Sequence, residues 1–195
     1  RLGERGEVAD VDEHHGHLAA LAGDEAHEVE AGHVLLVFDQ TKRTTRQEDA
    51  LLDTEDEALR RQRCVLRIRS EPGKSLLTFK GPLQPGTMKI REEYETVIGD
   101  GDILRRVFEQ LGLHVSFRYE KYREEYAAED VTIAIDETPI GTFVEIEGGE
   151  QGILTMTEAI GRSPADFVLD SYRGLFVRLR DEHGFAGSDM LFDAE

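Results

Sequence analysis

Charged or polar residues recur two positions apart in five stretches of this 195-residue chain. Arg67 and Arg69 form one pair and Thr78 with Lys80 another. Lys89, Arg91, Glu93 and Glu95 make a longer run, Lys121, Arg123 and Glu125 a shorter one, and Phe143 leads into Glu145 and Glu147. In a strand, side chains two apart share a face, so each stretch presents a polar face opposite an apolar one such as Leu66 with Ile68 or Val144 with Ile146. Arginine suits phosphate oxygens through its planar fork and lysine as a point charge. Paired carboxylates suit Mg²⁺ or Mn²⁺, which take oxygen ligands and commonly keep one or two carboxylates beside phosphate oxygens and water.

A half-buried sheet with its polar face in water accounts for any one of these strands. It does not account for the sorting, which gathers cations on some strands (Arg67, Arg69, Lys80) and carboxylates on another (Glu145, Glu147). A sheet curled with its charged faces inward and helices over its apolar outside would be a polar-lined barrel. Unpaired buried charges are costly, so such an interior implies internal pairing or a ligand. Cations and carboxylates together describe a metal-bound polyphosphate site.

The elements that must position these residues are legible from residue 51 onward. Alternation predicts strands over residues 65–69, 75–80, 88–96, 117–126, 131–136 and 142–147. Their joints are Glu71-Pro72-Gly73, Gly81-Pro82 and Pro85-Gly86, and short joints imply antiparallel neighbours. Ile103, Leu104, Val107, Phe108 and Leu111 predict a surface helix over 102–113, with Asp100 or Asp102 as N-cap and Gly112 as terminator. A second helix is expected over 153–160 and a third opening at Ser163-Pro164. Another follows Ser171 and carries Leu175, Phe176 and Leu179.

Residues 1–50 read as an atypical segment, out of frame or diverged, with five of the seven histidines and weak periodicity. A strand over 34–38 and a helical turn over 18–22 are the elements expected there. His14, His15 and His17 do not share one helical face, and they read as solvated residues. Residues 51–183 form the expected folded domain, and 184–195 an acidic, frayed tail. The first residue is Arg1, which suggests a start further upstream.

A net charge of −18 argues against nucleic acid or an anionic membrane as partner, so a polyanionic small molecule would need a local cationic pocket. The single cysteine, Cys64, excludes an intrachain disulfide, and a reducing, cytoplasmic setting is expected. A homodimer is left open.

The motifs in series, Arg67-Ile68-Arg69, Thr78-Phe79-Lys80, Arg91-Glu92-Glu93, Arg118 to Arg123, Asp136-Glu137 and Phe143 to Glu147, resemble those of the CYTH or triphosphate tunnel superfamily, which includes class IV adenylyl cyclases and thiamine triphosphatase-like proteins. Leu52-Asp53-Thr54 with Ala58-Leu59-Arg60 is similar to its early turn, and Asp170-Ser171-Tyr172 to its late helix. The resemblance covers residues 51–180. It implies an α+β fold built on an antiparallel eight-stranded β-tunnel with surface helices. It further implies that Arg67, Arg69, Lys80, Arg91, Lys121 and Arg123 grip a triphosphate and that Asp136, Glu145 and Glu147 hold Mg²⁺ or Mn²⁺. Glu93 is the carboxylate assigned to general-base work. The family's first-strand Glu-x-Glu-x-Lys has no full counterpart, since Glu28-Val29-Glu30 is followed by Gly32 in the lysine position.

The leading expectation is a metal-dependent hydrolase of inorganic or small organic triphosphates. The alternatives are a class IV adenylyl cyclase making cyclic AMP and pyrophosphate, and a binding module that has lost turnover.

Overall fold

The computed structural model describes residues 16–17, 21–22, 39–84, 90–128, 131–183 and 187–193. Seven long strands form one antiparallel sheet: β3 (Asp39–Thr54), β4 (Val65–Glu71), β5 (Lys74–Lys80), β6 (Glu93–Ile98), β7 (Leu113–Ala128), β8 (Val131–Thr138) and β9 (Gly141–Gly148). Two two-residue strands, β1 (Gly16–His17) and β2 (Leu21–Ala22), both lie along the outer edge of β9 and together take an eighth position. The spatial order is β1-β9-β8-β7-β3-β4-β5-β6.

Curling of the sheet is evident from what meets across it. Lys80 on β5 and Glu145 on β9 are separated in the order by β8, β7, β3 and β4, yet they line one cavity. The inward faces carry Arg67, Arg69, Lys121 and Arg123, all buried. The outward faces are aliphatic. Val131, Ile133 and Ile146 pack there against Ile153 and Met156 of α3 (Glu150–Ala159). Ile68 lies under the start of α2 (Gly101–Gln110), where a Cβ on Gly101 would meet Ile68 Cγ2 at 3.2 Å and Ser75 Oγ at 3.0 Å. Asp100 caps α2 by accepting from the Ile103 N–H, and Gly112 ends the turn with φ +87°.

Several elements differ from the sequence reading. Strand β3 starts at Asp39 and so runs through the division expected at residue 50. Leu21 and Ala22 are strand and not helix, because β9 offers them an open edge. The strand expected at 34–38 lies outside the described residues. The strand expected to begin at residue 88 begins at Glu93. Ser163-Pro164 opens a single 3-10 turn, Pro164–Asp166, with a reciprocal capping box between Ser163 and Asp166. Three of the five apolar residues of the α2 stripe stay exposed: Ile103, Val107 and Leu111.

The last helix, α4 (Tyr172–His183), does not cover the outside of the sheet. Its Leu175 and Phe176 pack on Phe143, Phe117 and Tyr119, which belong to the inward faces, so α4 closes one end of the curl. Residues 187–193 are not frayed. Asp189 accepts from the Arg118 backbone N–H and from its guanidinium, and Met190 exchanges backbone hydrogen bonds with β7 and is fully buried. That edge of β7 is open to it because β8 pairs with β7 only from Tyr122 onward. No helix among the described residues is long and apolar enough to cross a membrane.

Candidate functional site

Register stacks the inward residues in layers. Val65, Lys80 and Glu93 align across β4, β5 and β6; Arg67, Thr78 and Glu95 form the next layer, and Arg69 aligns with Leu76. On the opposite wall Arg123 pairs with Asp136, and Glu145 with Ala134. The cavity between the walls measures about 530 Å³, within the span of small-molecule sites. Arg67, Arg69, Lys80, Arg91, Lys121 and Arg123 all line it, as do Glu93, Glu145 and Glu147.

Two enclosed carboxylates hold the cations. Asp49 accepts from Arg69 Nε at 2.9 Å and Nη2 at 3.3 Å, and Arg67 Nε lies 3.4 Å from it. Burial alone would raise the Asp49 carboxyl, but Arg69 and Arg67 outweigh burial and hold it below its ordinary value. Arg67 also donates to the hydroxyl of Thr78 (3.0 Å), which in turn donates to Glu95 (2.7 Å).

Asp136 is the second hub. It accepts from Lys121 Nζ (2.7 Å), Arg123 Nε (2.6 Å), Arg123 Nη2 (2.5 Å) and the Tyr172 hydroxyl (2.6 Å), and it is completely buried. Arg123 Nη2 also pairs with Glu145. Burial and the neighbouring Arg123 push the Lys121 ammonium down to about 8. For Glu145, burial is outweighed by Arg123 and Lys121, which keep the carboxyl well below the usual range. Burial raises the Tyr172 hydroxyl, so it remains a donor to Asp136.

Lys80 is tied to Glu93 at 2.8 Å. Arg91 lies beside them, its ionisation lowered by burial. Arg91 Nε and Arg67 Nε are buried without a hydrogen-bond partner. Arg67 Nε faces Asp49 at 3.4 Å, and an unmade hydrogen bond from a buried charged donor such as Arg91 Nε is unfavourable.

Asp136, expected among the metal ligands, is enclosed by hydrogen-bond donors. Its four hydrogen bonds match the roughly four acceptor positions of a carboxylate, and it is not part of the cavity lining. Among the described residues no three His, Cys, Asp or Glu side chains form a metal-binding group. Glu145 and Glu147 fit a divalent cation by themselves, as two carboxylate donors on one strand face whose remaining positions phosphate oxygens and water would fill. Glu28, Glu30 and Gly32 lie outside the described residues.

Sequence reasoning missed Asp49, Thr78 and Tyr172 as organisers of the site. A signal existed for the first. Gln47 and Asp49 show the same two-residue spacing as the cation pairs and are equally buried. Asp53, in the turn motif noted in the sequence, caps α1 (Ala58–Arg61) by accepting from the N–H groups of Leu59 (2.9 Å) and Arg60 (3.0 Å).

Comparison with known proteins agrees with this architecture. The CYTH domain family model matches residues 20–159, beginning inside the segment expected to be atypical. A Methanocaldococcus jannaschii protein that carries an adenylate cyclase name is 37% identical over 102 residues, which cover 52% of this chain and 58% of the relative, under two thirds of its length. A Pyrococcus horikoshii protein of known structure superimposes with a TM-score of 0.70 at 26% identity, covering 86% of this chain and all of that one. A Hippeastrum protein, described as an adenylyl cyclase with a dominant triphosphatase activity, superimposes with a TM-score of 0.54 at 18% identity over 71% of this chain and 84% of its own. At that identity the likeness is one of fold.

Proposed function

We propose, from the premise that this chain belongs to the CYTH domain family, that its cavity binds a triphosphate and hydrolyses it with the help of a divalent metal. One observation carries the reading: nine cationic side chains, the six expected ones with Arg60, Arg63 and Arg173, line a single cavity in a chain whose net charge is −18. Such a site attracts a compact polyanion that the rest of the surface repels.

Each of the six expected cations has a defined task. Arg67 and Arg69, fixed by Asp49, offer guanidinium donors to one wall of the cavity; Lys121 and Arg123, fixed by Asp136, offer theirs from the other. Lys80 and Arg91 complete the grip near Glu93. Glu145 and Glu147 would hold Mg²⁺ or Mn²⁺, and the bound ion supplies Lewis-acid neutralisation of phosphate charge. When the triphosphate enters, Arg123 exchanges its bond to Glu145 for a phosphate oxygen, which frees that carboxylate for the cation. Glu93 is the carboxylate offered to take a proton from the attacking water as the terminal P–O bond breaks and phosphate and diphosphate separate. Most of the rate enhancement is electrostatic positioning.

A cyclase reading is favoured by one observation, the adenylate cyclase name of the Methanocaldococcus jannaschii relative. In that reaction the ribose 3′-hydroxyl attacks the α-phosphorus and pyrophosphate leaves. Product analysis separates the two readings. Purified protein is incubated with ATP and with inorganic triphosphate in Mg²⁺ or Mn²⁺, beside a Glu145→Ala, Glu147→Ala variant. Orthophosphate release lost in the variant is expected. Cyclic AMP with pyrophosphate would replace hydrolase by cyclase, and absence of either product at any metal concentration would sink both.

A further inference from the structure

We infer that the C-terminal strap, residues 187–193, is a latch that holds α4 against the end of the curled sheet and so positions Tyr172 on Asp136. Its effect on binding rests on the reading of the cavity as a triphosphate site. Its mechanics do not.

The strap is fastened along β7. Met190 donates its N–H to the Arg118 carbonyl (3.0 Å) and its carbonyl accepts from the Glu120 N–H (2.9 Å), which sets it parallel to β7 at Tyr119. Asp189 accepts from the Arg118 backbone N–H and from Arg118 Nε, each at 2.9 Å. Phe192 donates its N–H to Glu120 (3.1 Å) and places its ring 5.2 Å from that of Tyr122. Backbone pairing alone would be enough to cover an open strand edge. The Met190 side chain goes further, because it is fully buried in one cluster with Phe117, Tyr119 and Phe176.

Through Phe176 the strap reaches α4. Leu175 and Phe176 are the buried side chains of that helix among the described residues, so Met190 shares its cluster with one of the residues that seat the helix. Tyr172, in the first turn of α4, packs on the same cluster with its ring 5.7 Å from that of Tyr119. Its hydroxyl donates to Asp136 at 2.6 Å, and Lys121 Nζ stands 5.3 Å from the centre of its ring. One side of this aromatic cluster is therefore the strap, and the other is the hub that fixes Lys121 and Arg123.

Truncating Met190 would leave a cavity that its neighbours fill by shifting. An element with few buried apolar anchors moves most readily, and here that element is α4. As α4 lifts, Tyr172 leaves Asp136, whose freed acceptor turns negative charge toward the cations, and water enters that end of the cavity. Both changes weaken the hold of the cations on a polyanion. Met190 is thus a positioning residue that acts through Tyr172.

The test reads α4 directly and through a ligand. Amide hydrogen exchange of the full chain is compared with Met190→Ala, Met190→Leu and Asp189→Ala, with thermal unfolding as the folding control. Met190→Ala should speed exchange in α4 about tenfold while α2 and α3 keep their rates, and the volume-conserving Met190→Leu should keep α4 protected. Asp189→Ala loosens the strap from its outer side without touching the cluster, and it should give the same pattern more weakly even if Met190→Ala does not fold. Calorimetry with inorganic triphosphate and Mg²⁺ then gives Kd for Met190→Ala, Tyr172→Phe and the double variant. Each single variant is expected to weaken binding about tenfold, the order for a lost hydrogen bond to a charged group. The double variant should be no weaker than either, because both act at Tyr172. Unchanged exchange in α4, exchange that rises equally in α2 and α3, or losses that multiply in the double variant would each overturn the latch and leave the strap as a cover for the β7 edge. If the unaltered protein does not bind inorganic triphosphate, the triphosphate reading falls and the exchange rates alone decide the latch.

Discussion

The two walls of the cavity use one plan with different chemistry. On β3 and β4, Asp49 holds two arginines; on β7 and β8, Asp136 holds an arginine, a lysine and a tyrosine hydroxyl. Burial would lower the Arg69 guanidinium, but Asp49 raises it, so the first wall carries charge that no ordinary pH removes. The second wall contains Lys121, whose ammonium is pushed down to about 8. The Asp49 hub thus holds a fixed cationic pair, whereas the Asp136 hub holds one cation, Lys121, that titrates at mildly alkaline pH.

Removing the hubs should expose this difference most strongly. Asp49→Asn and Asp136→Asn each remove the shared carboxylate from two buried cations, a loss of about 3–5 kcal/mol at pH 7, read from urea unfolding. The Asp136→Asn deficit should shrink by pH 9.5, because Lys121 without its carboxylate sheds its proton. The Asp49→Asn deficit should not change, since arginine keeps its charge. Equal pH responses would erase the distinction between the walls.

A smaller effect is expected in the unaltered protein. The folded-state value for Lys121 lies below its unfolded value, so between about pH 8 and 10.5 the unfolded chain binds more protons. The contribution of Lys121 to stability is therefore lowest below pH 8, rises with pH through that window and is complete above it. Lys121→Met should flatten this rise in the urea midpoint. A rise that persists in the variant belongs to another group.

The smallest change sharpens the comparison by contrast. Asp53 is as buried as Asp49 but serves backbone N–H groups. Its replacement strands no cation, so Asp53→Ala should cost about 1–2 kcal/mol in thermal unfolding, the scale of a lost helix cap. A loss as large as that of Asp49→Asn would mean that Asp53 supports the cation walls as well.

The parts of the site legible in the sequence are those fixed by alternation within one strand. Arg67 with Arg69, Lys121 with Arg123, and Glu145 with Glu147 share faces whatever lies beside them. Asp49 was hidden because its meaning comes from register: Asp49 aligns with Arg69 only once β3 pairs with β4. The surroundings of Asp136 were hidden for a related reason. A carboxylate shortly before two glutamates suggests a ligand set, and only the arrival of Tyr172 from α4 together with the two β7 cations shows it enclosed. Helical periodicity likewise identified the apolar face of α4 without saying that this face would meet the inside of the sheet. The docking of Met190 depends on an open edge of β7, which no local pattern in residues 184–195 records.

The pairing of β3 with β7 also bears on how the chain reaches this state. Arg46 meets Glu120 across 74 residues, whereas β4–β5 and β8–β9 are joined by tight turns. Loop-closure entropy opposes distant pairing until many contacts form together. The two hairpins should therefore assemble early, and the joining of the two halves along a single long seam is expected to be the slow step. The cavity comes into being only at that moment, because its walls belong to different halves.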